Sequence, residues 1–118
     1  MEKIGIKRIY EPYDSKDGFR VLVDRLWPRG VKREDARIDL WLKEIAPSTA
    51  LRTWFGHDPA KWKEFRQRYR KELGENDAVD KLVDLLREKD PITLLYGAKD
   101  EQHNQAVVLA DFVMEYGS

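Results

Sequence analysis

The chain contains no cysteine among its 118 residues. Disulfides, a thiol nucleophile and a cysteine-ligated zinc are thereby excluded, and the absence fits a reducing compartment. Histidine is scarce: there are two, His57 and His103, with no HExxH-type spacing, so no metal site is read from the sequence. Net charge is missing as well. The 22 Lys plus Arg balance 22 Asp plus Glu, which removes a bulk attraction to nucleic acid or to an anionic membrane. No apolar stretch is long enough to span a bilayer, and the opening residues Met1-Glu-Lys-Ile-Gly5 lack the apolar run of a secretory leader. These absences lead to the expectation of a cytoplasmic protein without membrane contact.

What is present supports a folded domain. Hydrophobic residues make up 42% and aromatics 11%, enough for a packed core and too much for disorder. Charged residues reach 37%, against an ordinary share of roughly 25%, as in helices covered by surface ion pairs. The length predicts one domain over residues 1–118, and no linker, repeat or low-complexity segment divides it.

Two short apolar runs carry the fold prediction. Val21-Leu-Val23 and Ile92-Thr-Leu-Leu-Tyr96 are unbroken rather than alternating, as in strands buried on both faces. A first strand is read over Lys3 to Tyr10, with Ile4, Ile6 and Ile9 inward, and a second over Phe19 to Arg25. Residues 31–47 are ambiguous: Ile38, Trp41, Leu42 and Ile45 fall at helical spacing, while Ile38, Leu40 and Leu42 alternate as in a strand. Ser48 suits the N-cap of a brief helix carrying Leu51, Trp54 and Phe55. Asp58-Pro59 reads as cap and first residue of the next, whose stripe is Trp62, Phe65, Tyr69 and Leu73, with Gly74 just past its end. Asn76 caps a helix through Val79, Leu82, Val83 and Leu86. Asp100 is expected to cap a final helix with Ala106, Leu109, Ala110 and Val113 inward and Gly117 closing it. Strands entering helices predict an α/β domain with a mainly parallel central sheet flanked by helices.

The candidate chemistry lies at strand ends, where open α/β sheets bind ligands. Asp24, Arg25, Trp27 and Arg29 follow the second strand and precede the turn at Gly30. The carboxylate suits proton transfer, and guanidinium groups grip phosphate or carboxylate in a planar fork. A purely structural Asp–Arg pair with Trp27 in the core is the competing reading. Lys99, His103 and Asn104 follow the last strand. There the amides of a helix start favour an anion and the imidazole can exchange a proton near neutral pH. Asp100 and Glu101 oppose an anion, and no P-loop pattern is present. His57, in Trp54-Phe-Gly-His-Asp-Pro59, either faces a flat ligand or serves an aromatic corner. The basic residues Lys61, Lys63, Arg66, Arg68, Arg70 and Lys71 are interleaved with Glu64 and Glu72, as on a solvated helix face.

Four segments together resemble the DUF488 family, in its YeaO-like branch. They are Arg20-Val-Leu-Val-Asp-Arg-Leu-Trp-Pro-Arg-Gly30, Trp41-Leu-Lys-Glu-Ile-Ala-Pro-Ser48, Trp54-Phe-Gly-His-Asp-Pro59, and Leu94-Leu-Tyr-Gly-Ala-Lys-Asp100 with His103-Asn-Gln-Ala106. The resemblance covers nearly the whole chain and implies a compact α/β domain. It also implies a short helical turn at Arg33–Ala36 and a strand over Trp41 to Ala46, against the helical spacing. The wider family looks to carry Asp-x-Arg after the second strand and a Cys-His-Arg-like element on the last helix. Here these read Asp24-Arg25 and His103-Asn104-Gln105, with no cysteine. Carried over by motif, the pocket residues are Asp24, Arg25, Arg29, Lys43, Ser48, His57, Lys99 and His103.

The leading expectation is a small enzyme acting on an anionic or nucleotide-like small molecule. Arg25, Arg29 and Lys99 would hold the anion, and Asp24 or His103 would handle a proton. The rival is a ligand-sensing or protein-interaction module without catalysis; a nucleic-acid regulator is disfavoured by the charge balance. No cofactor and no oligomeric state is read from the sequence.

Overall fold

The computed structural model describes residues 4–116. Its sheet has four strands, β1 (Ile4–Arg8), β2 (Phe19–Leu22), β3 (Leu40–Trp41) and β4 (Ile92–Tyr96), in the spatial order β1-β4-β2-β3. Every pairing is parallel. The last strand is inserted between the first two, so the expected neighbours β2 and β4 run side by side with Val21 opposite Leu94. The α/β class predicted from the two apolar runs is the class observed.

Burial of those runs has a topological cause. On one face Val21, Ile92 and Leu94 enter a core closed by α2 (Thr49–Phe55), α3 (Trp62–Gly74), α4 (Ala78–Glu88) and α5 (Gln105–Tyr116). On the other face Leu22 and Leu95 pack with Ile9 and with Ala36 of α1 (Arg33–Ala36), ringed by Trp27, Val31, Ile38 and Trp41. Each fully buried leucine contributes about 1.5–3 kcal/mol by leaving water. Two covered faces therefore explain why alternation is missing.

Arg20 lies on the second face and is 2% exposed. It donates to the Ala36 carbonyl at 2.9 Å and the Arg37 carbonyl at 3.1 Å, and pairs with Asp17. Asp17 also receives Lys7 at 3.0 Å. Thr93 donates to the Asp17 carbonyl at 2.7 Å, so this polar cluster fastens β2, β4 and the α1 segment together. Gly18 immediately precedes β2 with φ +69, and a Cβ there would lie 2.2 Å from the Pro91 carbonyl oxygen. That close approach lets the Phe19 amide reach the same oxygen at 3.0 Å and sets the register of β2 on β4.

Several expectations are corrected. Ile6, expected inward, is 38% exposed on the edge strand β1. β2 ends at Leu22 instead of Arg25, although the Val23 amide continues the ladder to the Leu95 carbonyl at 3.0 Å. The strand expected over Trp41 to Ala46 stops at Trp41. A 3-10 turn at Lys43–Ile45 follows it, closed by the Ile45 amide on the Leu42 carbonyl, and drops Ile45 into the core. Gly74 is the last residue of α3 rather than the one beyond it. The Asn76 side chain does accept the Ala78 amide, at 2.9 Å, although Asp77 lies between it and α4. Lys3 and Gly117, expected as a strand start and a helix stop, lie outside the described residues.

Candidate functional site

Where β2 and β4 end, their chains part and leave a cleft of about 370 Å³, within the range of small-molecule sites. Asp24 lies in its wall. The Asp24 backbone oxygen accepts from Trp41 Nε1 at 2.7 Å, which secures the turn. Its carboxylate turns towards the end of β4, where Oδ2 accepts the Gly97 amide at 2.9 Å and Oδ1 accepts from Gln105 Nε2. A Cβ on Gly97 would sit 3.0 Å from Asp24 Oδ2, so glycine is what permits this contact. Burial pushes the Asp24 carboxyl up to about 6, even though the Gly97 amide, Gln105 and the Arg52 charge pull the other way.

Three arginines line the cleft with this carboxylate, and the charge of Arg52 acts on it. Arg25 ties the turn to the chain before α2, donating Nη2 to the Ala46 carbonyl at 3.0 Å and Nε to the Pro47 carbonyl at 3.3 Å. Arg29 and Arg52 line the same cleft. Among the described residues, neither guanidinium has a hydrogen bond or ion pair within the chain. Tyr10 supports the Arg29 segment by donating its hydroxyl to the Arg29 carbonyl at 2.9 Å. Trp27 is positioned by its Nε1 on the Val31 carbonyl at 2.8 Å and by an edge contact with Trp41 at 5.4 Å.

The β4–α5 junction supplies the opposite side. His103 Nδ1 lies 2.9 Å from Asp100 Oδ2, and its ring meets Trp62 edge-on at 5.1 Å. A carboxylate on Nδ1–H leaves Nε2 as the lone-pair nitrogen of the neutral ring. The Gln102 amide and His103 hold the Asp100 carboxyl below its usual range. His103 was expected in the first turn of the last helix, but it precedes that helix. Asp100 Oδ1 accepts the Gln102 and His103 amides and stabilises a bend. Asn104 then does the capping, accepting the Val107 amide at 3.2 Å and donating to the Asp100 carbonyl at 2.9 Å. His57 reaches the cleft from the corner after α2, with φ +57 behind Gly56. That backbone conformation is uncommon for a residue with a Cβ.

Seven of the ten candidate side chains thus line one cleft: Asp24, Arg25, Trp27, Arg29, His57, His103 and Asn104. Lys43, Ser48 and Lys99 do not. Lys43 is exposed and sets its ammonium 5.2 Å from the Trp41 ring centre. Ser48 caps α2 through the Leu51 amide at 3.1 Å and donates to Glu72 Oε2 at 2.6 Å. It lines a separate open groove. Lys99 is exposed outside the cleft. Sequence reasoning missed Arg52, Gln105, Gly97 and Tyr10. Arg52 reads as a solvated helix residue, and Gln105 as a neutral one. The signal available was Gly97, a glycine at the end of an apolar run, which marks close backbone approach. No group of three potential metal-ligating side chains is found among the described residues.

A family model described as the inactive DUF488-N3 subclade matches residues 3–117. The chain is 46% identical over 110 residues to the uncharacterized protein YeaO of Escherichia coli, covering 93% of this chain and 96% of that protein. It is 37% identical over 111 residues to the uncharacterized protein Rv3073c of Mycobacterium tuberculosis, covering 94% and 93%. No solved structure matches the chain.

Proposed function

Since this chain belongs to the DUF488 family, in the subclade described as inactive, we propose that it is a binding module for a small anion and does not turn that ligand over. The observation that carries this reading is the charge balance of the cleft. Arg25, Arg29 and Arg52 face the single carboxylate Asp24 there, in a chain whose total charge is zero. Two guanidinium groups with no hydrogen bond among the described residues suit an oxyanion, which accepts in the plane of their N–H fork. The apolar surfaces of Phe55, Phe65 and Trp27 would take the uncharged part of the ligand. The absence of cysteine leaves the Cys-His-Arg-like element without its thiol, in keeping with binding alone.

Catalysis is the second reading, and the Asp100–His103 pair is what favours it. An imidazole oriented by a carboxylate, across a cleft from Asp24, is a workable acid–base arrangement. One experiment separates the two. Inorganic phosphate, phosphate monoesters and small carboxylates are titrated by calorimetry into the full chain and into Arg29→Ala/Arg52→Ala. The binding reading expects saturable binding that the double variant weakens by about tenfold or more, with every ligand recovered chemically unchanged. Conversion of a ligand, abolished by His103→Ala, would establish the enzyme instead. No binding by any anion would remove both.

A further inference from the structure

We infer that the anion taken by this cleft carries its own O–H, and that Asp24 is the specificity-determining residue that accepts this hydrogen. The inference rests on the anion-binding reading and names the ligand class more closely: an oxyanion protonated near neutral pH, of which inorganic phosphate is the simplest.

A carboxylate inside an anion site is an obstacle unless the ligand offers it a donor. An ionised carboxylate has about four lone-pair positions and no hydrogen to give. At Asp24 two are taken, by the Gly97 amide on Oδ2 and Gln105 Nε2 on Oδ1. Both donors are on the β4–α5 side, and Asp24 forms no ion pair with the arginines of the cleft. Among the described residues no third hydrogen-bond donor reaches the carboxylate, and Asp24 lines the cleft. A ligand oxygen placed against Asp24 must be hydroxylic, because a bare oxyanion oxygen would meet an acceptor of like charge.

Phosphate and sulfate separate on this point. Both are tetrahedral and of similar size and both suit guanidinium groups; near neutral pH phosphate is a monoanion or dianion and sulfate a dianion. Phosphate retains an O–H in each form present near neutral pH; sulfate has none. Charged and titratable groups that line the cleft with Asp24 come from four places: Tyr10 after β1, Arg25 and Arg29 after β2, Arg52 and His57 from α2 and its end, and His103, paired to Asp100, before α5. Tyr69, beneath, is engaged with the Ile45 carbonyl at 2.7 Å. With its carboxyl pushed up to about 6, Asp24 is mostly ionised above neutral pH and mostly protonated well below that value. Protonation turns it into a donor and removes the bar to sulfate.

The test is calorimetric titration of the full chain with inorganic phosphate and with inorganic sulfate near pH 7.5 and near pH 5, repeated with Asp24→Asn. Near pH 7.5 the wild type is expected to bind phosphate at least about tenfold more tightly than sulfate. Asp24→Asn, which supplies an amide donor, should bring the two within about threefold, chiefly by gaining sulfate. The wild type near pH 5 should move in the same direction. Equal affinities in the wild type near pH 7.5 would overturn the inference and leave the anion-binding reading standing. Binding of neither ion would overturn the inference, and the titrations with phosphate monoesters and carboxylates then decide the anion-binding reading. Should Asp24→Asn fail to fold, the wild-type comparison at the two pH values decides alone.

Discussion

Asp24 is held in a place that does not suit its charge. Its carboxyl is raised from the usual 3.8 to about 6 by burial, a difference worth roughly 3 kcal/mol. Because the folded value is the higher one, the stabilising share of the neutral form is complete below about pH 4 and is lost as pH rises through about 6. Asp24→Asn keeps an acceptor for the Gly97 amide without the charge. It should therefore gain roughly 1–3 kcal/mol near pH 7.5 in urea unfolding, and its stability should lose part of the decline between pH 4 and 7. An unchanged pH profile would show that Asp24 ionises freely. Gly97→Ala probes the same contact from the other side, since its methyl group would meet Asp24 Oδ2 at 3.0 Å. The fold should persist, while phosphate affinity falls by about threefold or more as the carboxylate is displaced; titration of the variant measures this directly.

Caps decide which side chains reach the cleft at the scale of elements. Asn104 is 1% exposed and closes α5 while holding the bend that carries His103. Its replacement by alanine removes a cap and leaves buried partners unsatisfied, so Asn104→Ala should lose about 2 kcal/mol or more in chemical unfolding and weaken anion binding with it. Ser48→Ala is the contrasting case. It removes a cap and the Glu72 contact at 2.6 Å, for a loss of about 1 kcal/mol, yet phosphate affinity should stay as in the wild type. A large drop in affinity there would return Ser48 to the site. The 3-10 turn at Lys43–Ile45 shows the same dependence on local geometry. No α-helix takes up the helical spacing of Ile38, Trp41, Leu42 and Ile45: α1 ends at Ala36, β3 takes Leu40–Trp41 and the 3-10 turn takes Lys43–Ile45. The chain curls after Trp41 because Leu42 and Ile45 both have core to reach.

For the whole molecule, one face of the sheet is secured by apolar packing and the lower part of the other by Arg20. Removing a buried charge from its partners typically costs about 3–5 kcal/mol, so Arg20→Ala should lose stability on that scale, measured by thermal and urea unfolding. A loss below about 1 kcal/mol would mean that the Asp17 and Ala36 contacts are dispensable. The cleft itself is a consequence of strand order. With β4 inserted between β1 and β2, the residues after β2 and after β4 face each other across the diverging chain ends. No helix among the described residues is long and apolar enough to cross a membrane.

The sequence by itself determined the α/β class, since two unbroken apolar runs require a sheet covered on both faces, and it located most of the cleft, since ligands collect where such strands end. Local chemistry was equally legible in the Ser48 and Asp58 caps, whose hydrogen bonds span three residues or fewer. Tertiary structure alone decided that Lys43, Ser48 and Lys99 stand outside the cleft and that Arg52 and Gln105 stand inside it. Their membership depends on how α2 and α5 are set against the strand ends, a relation between residues far apart in the chain. The pairing of Asp24 with the Gly97 amide is of the same kind, joining positions 73 residues apart. Burial raises the pKa of this aspartate against the pull of the Gly97 contact, and that contact fixes where its carboxylate lies.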